Sequence, residues 1–198
     1  SNAVGISTRL NIEGAHVRIL PIAKDNTASL KSVTKMALDS DFIITVGGAS
    51  VGDYDIVKDV LTSLGMKLTF SKVAVKPGKP LFSGILGQSI VIGLPGNPVS
   101  ALVCTEIFVI PAVRKFLKLH PKSNIVYSAK LTNKLQRNGE RKHYMRAYFN
   151  YESHSINVKN DQDSSLLSTL ADSNALVIRE PNATALQEGQ CVTALLLG

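Results

Sequence analysis

The stretch "DFIITVGGASVGDYD", residues 41–55, decides how the chain is read. Its first half is a short apolar run rich in β-branched residues, the pattern of a buried parallel strand. Its second half packs three glycines, one serine and two aspartates into ten residues, 46–55. Glycines at that density lose much conformational entropy on folding and need a structural reason. Ile56, Val60 and Leu64 then mark one helical face, and Gly65 ends it. A strand, a glycine turn and a helix in succession form an anion site, because backbone N–H groups face the ligand and the helix start carries partial positive charge. Gly47, Gly48 and Gly52 open the turn, and Ser50 offers a hydroxyl to a phosphate oxygen. Asp53 and Asp55 would repel a bare phosphate. Magnesium resolves the conflict, since carboxylates hold the metal and the metal holds phosphates. A plain tight turn with Asp53 as helix cap explains the stretch about as well. No Lys-Ser/Thr pair follows, so this is not a Walker A loop.

Working outward, "AHVRIL" (15–20) reads as a strand and "NTASLKSVTKMALDS" as a helix. "KLTFSKVAV" (67–75) reads as one further strand, and "LFSGIL" and "SIVIGL" as a hairpin about "GQ". Val99, Val103, Ile107, Ile110 and Leu117 stripe a long helix that Pro111 should kink. The alternation predicts a three-layer α/β/α domain over residues 4–120 with a parallel sheet. "HPKSN" reads as a linker. Residues 124–198 then hold five short β-like runs and are expected to form a small β-barrel-like domain.

The chain has 198 residues, 44% hydrophobic and 19% charged, an ordinary globular composition. The opening "SNA" reads as a tag scar. No apolar run reaches the length of a membrane span, so no membrane partner is expected. Cys104 and Cys191 lie far apart among apolar residues and are expected as buried free thiols, which fits a reducing cytoplasm. The four histidines lack metal-ligand spacing. A net charge of +7 points to an anionic partner: nucleic acid, a phosphorylated small molecule or an oxyanion. No nucleic-acid docking motif is present, which disfavours the first.

Two more stiff turns follow strands. "VKPGKP" (75–80) presents Lys76 and Lys79 on a backbone braced by prolines. Ammonium groups are compact charges suited to phosphate or molybdate-like oxyanions. "GLPGNPVSA" (93–101) joins a strand to a helix through Pro95, Gly96, Asn97 and Pro98, with Asn97 or Ser100 as cap. Each could be a turn and nothing more. If all three follow strands of one parallel sheet, they open on one cleft beyond the strand ends.

In this order and spacing, "GGASVGDYD", "KPGKP" and "GLPGNPVSA" resemble the MoeA/gephyrin-E family of molybdopterin molybdenumtransferases. The resemblance covers nearly all of residues 15–198. It implies a molybdopterin-binding α/β domain followed by a C-terminal β domain. The implied reaction is magnesium-dependent: adenylylated molybdopterin and molybdate give molybdenum cofactor and AMP. Matched by motif, Asp25 and Asp55 are the implied catalytic acids that bear on Mg2+, with Lys76 and Lys79 as the lysines that neutralise phosphate or molybdate. Arg146 in "YMRAYF" and Ser164 in "QDSSLL" are the implied anion-binding residues of the β domain. A solvated hairpin face explains Arg146 nearly as well, and a helix cap Ser164. The resemblance also implies an anionic pterin nucleotide as partner, a molybdopterin adenylyltransferase as its upstream donor, and a homodimer in the full-length protein.

The family's first strand, with its threonine-glycine-aspartate loop, and its two N-terminal domains have no counterpart here. The chain is therefore expected to be a C-terminal piece of a longer enzyme, weakly active or inactive alone, with folding that needs a strand from elsewhere. A molybdopterin-binding module or a scaffold without metal insertion is the alternative.

Overall fold

The computed structural model describes residues 2–47, 56–120, 125–163 and 167–197, with Val126 and Tyr127 described by backbone alone. The chain divides into two units, Ser1–Val73 with Gly78–His120, and Ala74–Pro77 with Pro121–Gly198.

The first unit is built on a four-stranded sheet: β1 (Phe42–Val46), β2 (Lys67–Ser71), β4 (Phe82–Leu86) and β5 (Ser89–Leu94), in the order β1-β5-β4-β2. Alternation along β1 and β5 sorts side chains onto its two faces. Phe42, Ile44, Val46, Ile90, Ile92 and Leu94 pack with α1 (Asn2–Ile12), α4 (Pro98–Cys104) and α5 (Ile110–Phe116). Ile43 and Val91 pack on the other face with Leu61 of α3 (Ile56–Ser63) and with Ala37, which follows α2 (Thr27–Lys35). Three layers result, as the alternation predicted. The sheet itself is mixed, not parallel: β1–β5 is parallel, but β4–β5 and β2–β4 are antiparallel. Hairpins β4–β5 and β2–β4 need no crossover helix, so their strands run back and forth.

Three local expectations change. Residues 15–20 run without a strand partner; Ala15 and Val17 pack into one core and Leu20 into the other. Their apolar alternation is satisfied by packing, without a backbone ladder. The strand expected over 67–75 is two. Lys72 N–H bonds Leu81 O at 2.8 Å and Val73 N–H bonds Lys79 O at 2.9 Å, closing the base of an excursion. Its tip, β3 (Val75–Lys76), leaves this sheet for the other unit. Pro111 does not simply kink its helix. Lacking an N–H and crowding the carbonyl four residues back, it sits just beyond a π-helical turn over Thr105–Val109, where Ile110 N–H reaches Thr105 O.

Ion pairs join the helices on one face. Arg9 holds Glu106 of the π turn in a two-pronged contact at 2.5 and 3.2 Å. Glu13, buried at 5% exposure, faces Arg114 of α5. Removing one member would leave a buried charge uncompensated.

In the second unit, β7 (Lys142–Asn150), β8 (Ser155–Val158), β6 (Ile125–Leu131), β10 (Cys191–Leu196) and β9 (Ala175–Arg179) pair in sequence, and a β7–β9 pairing closes the ring. This is a five-stranded closed barrel, whose strands match the five runs read from the sequence. Its interior holds Ala129, Leu131, Ala147, Phe149, Ile156, Val158, Ala175, Val177 and Ala194. β3 adds to β7 in parallel. A short α6 (Leu167–Ala171) precedes β9.

Gly93 shows how tight the first core is. A Cβ there would lie 1.9 Å from the ring of Phe82, which is 1% exposed. Gly93→Ala should therefore destabilise the chain by about 2–3 kcal/mol, read as a lower urea midpoint at unchanged slope.

Candidate functional site

The parallel pairing of β1 with β5 ends at Val46↔Leu94, and Gly47 N–H continues it to Leu94 O at 3.2 Å. Two turns far apart in sequence therefore leave the sheet side by side. They lie so close that a Cβ on Gly96 would stand 3.2 Å from Gly47 Cα. Gly47 itself has φ +93°, a conformation that side chains other than glycine rarely adopt.

The second turn enters α4 with a well-formed cap. Asn97 has extended backbone and its Oδ1 accepts the Ser100 N–H at 3.1 Å, while Pro98 fills the first helical position. Gly96 O accepts Asn2 Nδ2 at 2.9 Å, so the residue read as part of a tag scar packs on this turn. The structure thus joins Gly47 to Pro95, Gly96, Asn97 and Pro98. Gly48, Ser50, Gly52, Asp53 and Asp55 lie outside the described residues, as does Ser164.

Asp25 precedes Asn26, the cap of α2, whose Oδ1 accepts Ser29 N–H at 2.9 Å. Among the described residues Asp25 makes no side-chain hydrogen bond or ion pair, and it is exposed. No group of three possible metal ligands comes together among the described residues.

The expected set of three turns after one parallel sheet needs correction. "KPGKP" follows β3, which belongs to the barrel's sheet. Lys76 lies in the second unit and Lys79 in the first; both are exposed. Gly78, at φ +115°, makes the turn between them.

Arg146 is not the solvated hairpin residue that its basic surroundings allowed. It is 2% exposed. Its Nη1 donates to Asp163 O at 3.0 Å and Nη2 to Asp161 O at 3.5 Å. Gln162 completes the lock: its Oε1 accepts the Arg146 N–H at 2.9 Å and its Nε2 donates to Arg146 O at 2.9 Å. The side-chain amide stands in for a neighbouring strand along the edge of β7, between its pairings with β3 and β8. Burial lowers the Arg146 pKa, while Asp161 and Asp163 oppose that shift.

Two basic groups went unnoticed in the sequence. His143 and Arg179 pair directly across β7 and β9, and His143 also pairs with Lys76 across β3. His143 is 8% exposed and Arg179 3%. Burial, then the charges of Lys76, Arg146, Arg141 and Arg179, push the His143 pKa down to about 4. Arg179 donates from Nη2 to the carbonyls of Gln136, Ala183 and Thr184, while its buried Nη1 has no partner. The available signal was phase: His143 is in step with Met145, Ala147 and Phe149, which line the barrel.

Cys104 is buried, and burial pushes its thiol up to about 12, an unreactive state. Cys191, expected to be buried, is exposed because it opens β10 at the strand's end.

A mixed α/β unit with adjacent glycine turns, coupled in sequence to a five-stranded barrel, defines a class of pterin-cofactor protein once compared with known chains. Residues 1–115 match the family described as "Probable molybdopterin binding domain". Residues 128–197 match "MoeA C-terminal region (domain IV)". The chain belongs to the MoeA/gephyrin-E family. It is 32% identical over 207 residues to a molybdopterin molybdenumtransferase of Nostoc sp., covering 100% of this chain and 47% of that protein. It is 34% identical over 194 residues to one of Haemophilus influenzae, covering 94% and 48%. A crystal structure of the molybdopterin biosynthesis MoeA protein from Pyrococcus horikosii superposes with a TM-score of 0.84 at 24% identity, over 99% of this chain and 47% of that one. The chain thus spans about half the length of these relatives.

The His143 shift has a stability consequence. Its folded pKa, about 4, lies below the ordinary histidine value of 6.5, so the unfolded chain binds more protons between the two. Stability supplied by the neutral imidazole should be present above about pH 6.5 and fall as pH drops toward about 4. Urea midpoints in anion-poor buffer should show this slope, and His143→Gln should flatten it.

Proposed function

We propose that the protein carrying this chain is a molybdopterin molybdenumtransferase acting in molybdenum cofactor biosynthesis. It takes adenylylated molybdopterin and molybdate and gives molybdenum cofactor and AMP. The observation that carries this reading is the contact between the turns at Gly47 and Gly96 beyond the ends of parallel β1 and β5. Ligands of open α/β sheets bind at such a place, and the family match supplies the pterin.

In this reading Gly47, Pro95, Gly96, Asn97 and Pro98, together with Gly48, Ser50 and Gly52, shape the nucleotide cradle. Close backbone approach needs glycine, because a Cβ would hold the phosphate away. Lys76 and Lys79 neutralise the charge that builds on the departing phosphate and on the incoming oxyanion; fixed charges aimed at such sites dominate the acceleration of phosphate chemistry. Arg146 holds the backbone of residues 161–163 that leads to Ser164. Its hydrogen bonds to carbonyls argue for a positioning role.

Magnesium suits the donor chemistry. Mg2+ uses one or two carboxylates, with water and substrate phosphates completing its shell, so no all-protein cage is required. Asp25, exposed and without a side-chain partner among the described residues, and Asp55 would hold it. When bound it would shield the phosphate charge. A homodimer of the full-length protein, a molybdopterin adenylyltransferase as donor and a cytoplasmic site of action complete the proposal.

Full-length protein given adenylylated molybdopterin, molybdate and magnesium should release AMP. Lys76→Gln and Lys79→Gln should each lower kcat/KM by roughly 100-fold or more, and Asp25→Asn should raise the magnesium requirement. Tight pterin binding with no AMP release would instead make the protein a binding module.

A further inference from the structure

Register places Lys76, His143 and Arg179 in one row across three neighbouring strands, β3, β7 and β9. Directly paired residues share a face of the sheet, and like charges so placed oppose one another. Among the described residues no carboxylate pairs into the row. Glu180, the residue after β9, is taken by Lys142 at 2.7 Å. Asp161 and Asp163 act on Arg146, on the outer face of β7. Arg141 bonds Val75 O at 3.3 Å and adds another positive charge near His143. Tyr144, next along β7, acts on Lys142.

His143 is more than nine-tenths buried, yet among the described residues its ring has no hydrogen-bond partner. His143 keeps 8% of its surface exposed, while Arg179 Nη1 is buried without a partner among the described residues. A buried polar group without a partner is costly. A tetrahedral oxyanion relieves every feature of the row at once. It accepts from the imidazole, it offsets the lysine and arginine charges, and it favours protonation of the histidine.

We infer that the Lys76–His143–Arg179 row is an oxyanion subsite of the barrel unit, in which Lys76 and His143 contact the anion and buried Arg179 supplies charge from below. The inference deepens the proposed function through Lys76, but it concerns binding alone. The neutral imidazole of the empty subsite becomes an imidazolium when the anion arrives, so binding takes up a proton. Affinity therefore strengthens as pH falls. The shared chemistry is an oxyanion, which could be free or be the phosphate of a nucleotide.

The test is NMR of the His143 ring in the unaltered chain, with tungstate, inorganic phosphate and AMP titrated separately. A response to tungstate or phosphate assigns the row to a free oxyanion, and a response to AMP alone assigns it to a nucleotide phosphate. In either case the His143 pKa should rise from about 4 by about two units or more, a hundredfold coupling or greater. Affinity should tighten severalfold from about pH 7.5 to about pH 5.5. His143→Gln should leave only the pH dependence of the anion's own protonation, and Lys76→Gln should weaken binding at every pH. His143 signals unmoved by all three anions at millimolar concentration would overturn the inference. So would a pH dependence in His143→Gln as steep as that of the unaltered chain. Because AMP release plays no part, failure here leaves the proposed reaction standing, and failure of AMP release leaves the subsite standing.

Discussion

Parallel pairing of β1 with β5 is the constraint on which the candidate site depends. The two strands are separated by α3 and by β2, β3 and β4, yet their register runs unbroken from Phe42↔Ile90 to Val46↔Leu94. Because the pairing is parallel, both chains leave the sheet at the same end. Gly47 and Gly96 then meet at a distance that leaves little room for a side chain on Gly96, while the positive φ of Gly47 disfavours one there. The register is held by burial on both faces: a slip of one residue would exchange the side chains facing α1, α4 and α5 with those facing α3.

The barrel unit solves a different problem. Its interior is apolar through the middle layers, but one end carries arginine and histidine at interior phase. The fold tolerates them in two ways. Arg179 directs Nη2 at backbone carbonyls, and His143 stays neutral. Arg146 uses a third device on the outer face, where carbonyls of residues 161 and 163 cap it and the Gln162 amide seals its backbone. Buried basic groups in this unit therefore organise loops, and a positive field remains at the row that contains Lys76.

Much of this was legible in advance because it depends on local pattern. Alternation in "SIVIGL" and the "GQ" turn marked a hairpin that forms as β4–β5. The five short runs after residue 124 became the five barrel strands. The capping signal in "GNPVS" is realised by Asn97 and Pro98. Other features were out of reach. "AHVRIL" has the apolar alternation of a strand but no neighbour to pair with, and pairing is a property of two segments. "KLTFSKVAV" looks continuous, yet two backbone bonds between residues 72–73 and 79–81 send its end to another sheet. Gln162 stood inside a quoted motif without its role being visible, since that role needs the backbone of Arg146.

The sequence by itself determined the kinds of element and the residues that punctuate them, because periodicity, glycine and proline act over a few residues. It also carried the ordered motifs that mark the family. Only the tertiary structure decided which strands pair, that Lys76 and Lys79 fall in different units, that Arg146 is capped by carbonyls, and that Lys76, His143 and Arg179 stand in one row. Those facts depend on register and burial between segments tens of residues apart, which local propensity does not encode.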